Sequence, residues 1–133
     1  MQYLGAEMIE LRSGHCQIRV PYREELGQQH GYFHAGVTGA IADSASGFAA
    51  FTLLLRQPAD TTVLTVEYKL NLLAPAVGDS LLARAEVIRS GRTLTVCRAD
   101  VLSVKDGQET LCAASLSTIM ALSSRPERSR TQP

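Results

Sequence analysis

The chain has 133 residues, with 13 basic and 13 acidic side chains and a formal net charge of zero. That balance gives no electrostatic footing for nucleic acid, and 5% aromatic residues with no tryptophan offer no base-stacking platform. The length suits one domain with a sizeable core, and 45% apolar residues is an ordinary globular share.

The opening MQYLGAEMIELRSG carries acids and no basic segment ahead of an apolar run, which is not the pattern of a signal peptide. No apolar stretch reaches the ~20 residues that span a bilayer, so no membrane partner is expected. EMIELRSGHCQIRVP reads as two short strands around a turn at Ser13-Gly14. YREELGQQHGYFH is polar and glycine-punctuated, hence loop. An apolar, small-residue helix follows over about Ala35 to Leu55, closed by RQPAD with Pro58 just beyond. The period then changes to two. Leu64, Val66, Tyr68, Leu70 and Leu72 alternate with Thr65, Glu67, Lys69 and Asn71, the mark of a long half-buried strand. SLLARAEVIRS places Leu81, Ala83, Ala85 and Val87 on one face. SGR turns the chain into TLTVCRADVLSV. Asp-Gly within KDGQ signals a tight hairpin into ETLCAASLSTIMAL. A domain over 1–122 is expected to end there, followed by a polar, disordered tail over 123–133. Cys16, Cys97 and Cys112 all lie in strand contexts. They read as reduced core thiols of a cytoplasmic protein.

The order is therefore β-β-α-β-β-β-β, an α+β chain with a meander of four long strands and no residues left for a second helical layer. One long central helix wrapped by a single antiparallel sheet of about five or six strands buries the helix well. The strand over residues 61–73 has Lys69 as its one basic residue and few other edge-protecting devices. At a sheet edge it would invite pairing with a second copy, so a homodimer through that strand is expected.

On a helical wheel Val37, Ile41, Phe48, Thr52 and Leu55 mark a bulky core face. Gly36, Gly39, Ala40, Asp43, Ser46, Gly47 and Ala50 fall on another side, small except for the acid. Each interior glycine costs ~1 kcal/mol relative to alanine. Gly39 and Gly47 stand four residues either side of Asp43, so something approaches the backbone there: a partner helix, a strand or a ligand. Asp43 itself is a solvated surface acid, a buried acid paired with a base, or a functional carboxylate at a groove. Gln28, His30 and His34 precede the helix, whose first turn presents free N–H groups near Ala35–Val37 and a positive dipole end. Asp43 lies ~13 Å along the axis from His34, too far for both to meet one reacting atom within one chain. In a two-fold dimer the acid of one copy can face the helix start of the other. His30 and His34 are four apart, but Gly31 and the pre-helical position argue against a metal pair, and no metal is expected. No G-x-S-x-G, P-loop or Rossmann glycine pattern occurs.

QQHGYFHAGVTGAIADSA resembles the hotdog-fold acyl-CoA thioesterases of the phenylacetate-type, PaaI-like group. Their pattern is Asn-x-x-Gly-x-x-His-Gly-Gly with an Asp nine residues after the His. Gln28, Gly31, His34, Ala35, Gly36 and Asp43 fall in register with it. TVEYKLNLLAPAVGDSLLARAEVIRSGRT is similar to the family's strand-Pro-turn-strand run, and the likeness spans about Ala6 to Met120. The resemblance implies a hotdog fold and cofactor-free hydrolysis of an aryl or medium-chain acyl-CoA, in a site shared by two subunits. Asp43 would be nucleophile or general base, and the Ala35 N–H of the other subunit would polarise the thioester carbonyl. His34 and Gln28 would orient water, substrate or thiolate, and Thr65 would face the site from the polar face of its strand. Gly36, Arg89, Gly91 and Arg92 are the substrate-binding candidates. The two arginines, with Lys105, are the cations available for coenzyme A phosphates. The family commonly forms a dimer-of-dimers, so a homotetramer is implied. Two positions depart from the pattern. Gln28 replaces Asn, and Ala35 replaces the first Gly of His-Gly-Gly, which preserves the backbone donor if its φ is negative. An enoyl-thioester hydratase or dehydratase and a non-catalytic acyl-thioester binding protein are the alternatives. The first is disfavoured because FHAGVTGAIAD lacks the prolines of those relatives' helix entries.

Overall fold

The computed structural model describes residues 1–54 and 60–123. The expected helix end at Leu55, Pro58 beyond it, and the tail from residue 124 lie outside the described residues. Short 3-10 turns cover Gln2–Leu4 and Glu24–Leu26. The strands are β1 (Glu7–Arg12), β2 (His15–Pro21), β3 (Thr61–Leu72), β4 (Ser80–Ser90), β5 (Leu94–Lys105) and β6 (Gln108–Ser123), and the helix is α1 (Ala35–Thr52). Ser13-Gly14 turns β1 into β2 with Gly14 at φ +73. Asp106 and Gly107, at φ +50 and +77, form the tight β5–β6 hairpin that Asp-Gly signals.

All six strands form one antiparallel sheet in the order β1-β2-β4-β5-β6-β3. The expected meander of four strands is thus a meander of three, β4-β5-β6. β3 pairs with β6, not β4, and forms an edge of the sheet. Residues 73–79 carry the chain back across the sheet end. The Leu73 N–H donates to the Cys112 carbonyl at 2.8 Å, and the Asp79 N–H to the Val104 carbonyl at 2.7 Å.

The sheet wraps α1. Ile41, Ala42, Ala45 and Ala49 are completely buried against it, with Leu81, Ala83, Ala99 and Val101 opposite. Burial of each large aliphatic side chain here is worth ~1.5–3 kcal/mol. Phe48, expected in the core, is 40% exposed, and Phe51 is 37% exposed. A curled sheet closes tightly on the helix, and alanines let the strands approach where phenylalanine would hold them off. The helix end is tied to the β1–β2 turn through Thr52. Its hydroxyl donates to the Ala49 carbonyl at 2.7 Å and accepts from the Gly14 N–H at 2.8 Å.

The period-two pattern of β3 is broken. Thr65 pairs with Ile119 and Glu67 with Thr118, leaving Val66 as a bulge. Thr65, Tyr68, Leu70 and Leu72 then lie opposite Ile119, Ser117, Ser115 and Ala113, all buried on the helix side of β6. Thr65 therefore shares a face with Tyr68 and Leu70, contrary to the uninterrupted alternation read from the sequence. Along this outer strand Leu64 is 55% and Val66 49% exposed. No helix among the described residues is long and apolar enough to cross a membrane.

Candidate active site

The helix N-terminus is built by His34. Its backbone is extended, and its Nδ1 accepts a hydrogen bond from the Gly36 N–H at 2.9 Å. A Cβ on Gly36 would stand 3.0 Å from that nitrogen, so glycine lets the imidazole fold back over the first turn. An accepting Nδ1 assigns the proton of the neutral ring to Nε2, a donor on its outer side. The Val37 and Thr38 N–H groups both donate to the His34 carbonyl. Among the described residues none accepts from the Ala35 N–H, which is left at the positive end of the helix dipole. Asp106 is the one described non-glycine residue with positive φ. Ala35 is therefore unstrained, and replacing glycine has kept the donor.

Gln28 holds the loop before the helix. Its Oε1 accepts from the His30 N–H at 2.6 Å, and its backbone N–H donates to the Tyr32 carbonyl at 2.8 Å. Gly31 completes this turn at φ +77. Phe33 anchors the loop, with its N–H on the Ala76 carbonyl and its ring edge-on to Tyr22 at 5.1 Å. The result is a cleft of about 560 Å³ that joins Gln28, His34 and Ala35 to Tyr32, Thr38 and the connector over residues 72–76.

Asp43 lies two turns along the helix, half-buried and outside that cleft. The Thr65 hydroxyl donates to its Oδ1 at 2.6 Å. No described lysine or arginine pairs with it. One turn before, a Cβ on Gly39 would meet the Tyr68 hydroxyl at 3.2 Å and Leu70 Cδ2 at 3.5 Å, so the chain's own β3 occupies that approach. One turn after, no described atom beyond the adjacent residues and the helix's own backbone lies within 4 Å of a Cβ on Gly47. That open approach adjoins a groove lined by Ser44, Gly47, Phe48, Phe51, Thr62 and Val63.

Arg89, Gly91 and Arg92 are in a third place, at the end of β4 and its turn into β5. The Gly91 N–H donates to the Leu94 carbonyl at 2.7 Å, and a Cβ there would stand 2.8 Å from the same oxygen, so the tight turn requires glycine. Both arginines are exposed and form no ion pair with a described residue. Leu94 pairs with Met120, and Met120 with Leu64, which puts this turn toward the Asp43 end of β3 and away from the His34 cleft. Lys105 sits in the opposite β5–β6 hairpin. Sequence reasoning missed Tyr68 and the connector wall, because neither the bulge at Val66 nor the crossing of the sheet end leaves a local signature.

The site thus offers a carboxylate held by a hydroxyl, suited to attack or to proton abstraction, and separately an unclaimed amide donor. Residues 30–110 match the family model described as Thioesterase superfamily. A thioesterase family protein from Silicibacter pomeroyi has a solved structure with a TM-score of 0.87, 44% identical over 92% of this chain and 88% of that one. A variant of the phenylacetic acid degradation protein PaaI from Thermus thermophilus superposes with a TM-score of 0.74, at 26% identity over 90% of this chain and 96% of that one. The 1,4-dihydroxy-2-naphthoyl-CoA hydrolase of Listeria monocytogenes is 28% identical over 87% of this chain and 89% of its own length. With one long helix in an open six-stranded antiparallel sheet, the chain has the hotdog fold and belongs to the thioesterase superfamily, as a thioester hydrolase.

Proposed function

We propose that this protein hydrolyses acyl-CoA thioesters in a site shared by two copies joined along β3. Asp43 carries the reading: a half-buried carboxylate held by a hydroxyl and by no described cation, beside an unpaired sheet edge. Ala35 and Asp43 are eight residues apart, ~12 Å along the axis, so one helix does not bring both to a single carbonyl. A two-fold partner running the other way along the edge would do so. The exposed Leu64 and Val66 give that edge an apolar reason to pair.

In this site the Ala35 N–H of one copy polarises the thioester carbonyl, beside Gly36, over which the His34 ring folds. Asp43 of the other copy takes a proton from water while the water oxygen bonds to the carbonyl carbon. The C–S bond then breaks and the thiolate leaves to be protonated. Direct attack by the Asp43 carboxylate, followed by hydrolysis of the resulting anhydride, is the other route to the same products. His34 Nε2–H and the Gln28 amide orient water or thiolate. Thr65 fixes the carboxylate, and Arg89 and Arg92, free of described ion pairs, meet the coenzyme A phosphates beside the bare turn at Gly91. One aimed oxyanion donor is worth ~3 kcal/mol of barrier, and general-base help gives ~10²–10⁴-fold. That is sufficient for a substrate whose leaving group is already good. The naphthoyl-CoA hydrolase relative supports a coenzyme A thioester carrying a bulky acyl group.

The test is release of free thiol from a panel of acyl-CoAs, read with a thiol-reactive dye. Wild type turns over, and Asp43→Asn and Asp43→Ala both lose at least ~100-fold in kcat with unchanged melting temperature. Equal rates in the three proteins would remove Asp43 from the mechanism. Saturable binding with no thiol released would make the protein an acyl-thioester binder. The native thiols interfere little with this assay, since all three cysteines are buried.

A further inference from the structure

Ala35, Gly39 and Asp43 follow one another at four-residue steps on one face of α1. A two-fold axis that sets Ala35 of one copy opposite Asp43 of the other passes midway between them, at Gly39, ~6 Å along the helix from each. Tyr68 of β3 stands at that position. A Cβ on Gly39 would lie 3.2 Å from its phenol oxygen and 3.9 Å from its Cε2. The phenol hydroxyl has no hydrogen-bond partner among the described residues, and Tyr68 is 47% exposed although it is held against the helix.

The free edge of β3 points to the same residue by a separate route. Glu67 and Lys69 flank Tyr68 on the other face of the sheet. Both are exposed, and neither forms an ion pair with a described residue. Antiparallel pairing of two β3 strands about Tyr68 sets Glu67 of each copy across from Lys69 of the other, two opposite-charge pairs from one register. Centring the pairing on Glu67 or on Lys69 instead would bring like charges face to face.

Resting on the two-copy site proposed above, we infer that Tyr68 is its positioning residue: the two phenols meet at the dimer axis, each against its own Gly39, and fix how far Asp43 of one copy stands from the Ala35 N–H of the other. One hydroxyl donates to the other across the axis. The acid and the amide each lie one helical turn from this contact, so a displacement there reaches both sites.

Two measurements test this. Tyr68→Cys under mild oxidation is expected to give a disulfide-linked dimer on a non-reducing gel, because directly opposite residues of antiparallel strands lie within a disulfide's span. Leu72→Cys, whose copy would be far along the strand, should not link, nor should wild type, whose three cysteines are buried. The second measurement is kcat and KM on one acyl-CoA. Gly39→Ala puts a methyl against the phenol oxygen and should lower kcat about tenfold with KM little changed. Its melting temperature should hold, since alanine is the better helix former. Adding Tyr68→Phe to Gly39→Ala removes the crowded oxygen and should recover most of that loss. A dimer in sedimentation with no Tyr68→Cys link, or full kcat in Gly39→Ala, overturns the inference. A wild type that is monomeric and still releases thiol overturns the two-copy reading and this inference with it. A Tyr68→Cys link with no thioester cleaved by wild type supports the placement at the axis and removes the hydrolytic reading alone.

Discussion

Thr65 controls Asp43 through one hydroxyl at 2.6 Å. Thr65→Val keeps the shape and removes the donor, so the carboxylate loses its orientation. The expected cost is about tenfold in kcat with KM little changed, with rescue by Thr65→Ser. Steady-state kinetics on one acyl-CoA decides it, and a loss confined to KM would contradict it. The buried thiols carry a different expectation. Burial pushes Cys16 and Cys97 from an ordinary 9.0 up to about 11, with Glu10 adding to the shift at Cys16. A thiol kept neutral by the fold contributes stability that is whole below its unfolded value near 9.0 and is lost as pH climbs through 11. Urea midpoints measured from pH 8.5 to 11 should fall, and fall less in Cys97→Ala. The places of His34, Ala35, Gly36 and Asp43 before and along the helix were legible in the sequence because helical spacing is local geometry, while the fold of the His34 ring back onto the Gly36 N–H was not. Gln28 was legible as a loop residue near the helix start, but not its bond to His30. The side of β3 that Thr65 faces was not legible, since it depends on pairing with β6, fifty residues on.

The two elements that matter are α1 and β3, lying side by side. The start of α1 at Ala35 and the extent of β3 could be read from small-residue helicity and alternation. Val37 and Ile41 were read correctly as buried, but the line of buried alanines and the exposed Phe48 were not, because bulk alone favours Phe48 whereas a sheet packed on the helix favours alanine. The two glycines around Asp43 likewise looked equivalent in sequence. Only the fold separates them: Gly39 is met by Tyr68, while Gly47 stays open. The edge of β3 supplies a test of its own. Val66→Glu places a charge on an exposed apolar edge residue whose loss costs this chain's own core little. Sedimentation should show a shift to a smaller species, with loss of thiol release and retained far-UV dichroism. An unchanged sedimentation coefficient with full activity would remove β3 as the joining edge.

At the scale of the whole molecule, one antiparallel sheet around one helix followed from element order and length. Strand order did not: nothing local tells residues 73–79 to cross the sheet end and leave β3 beyond β6. That crossing does two things. It exposes β3 as an edge, and it builds the wall of the cleft at the helix start. In one chain the acid and the free amide remain apart, and the proposed site joins them by bringing two copies together. Complementation of inactive variants tests this directly. Asp43→Asn removes the acid, and Ala35→Pro removes the donor at the first helical position, where proline is tolerated. Refolded as an equimolar mixture, the two inactive proteins should regain about a quarter of wild-type thiol release, since half the dimers are mixed and each holds one intact site. A mixture as inactive as its two components, with mixed dimers verified by mass, would contradict a site shared between subunits.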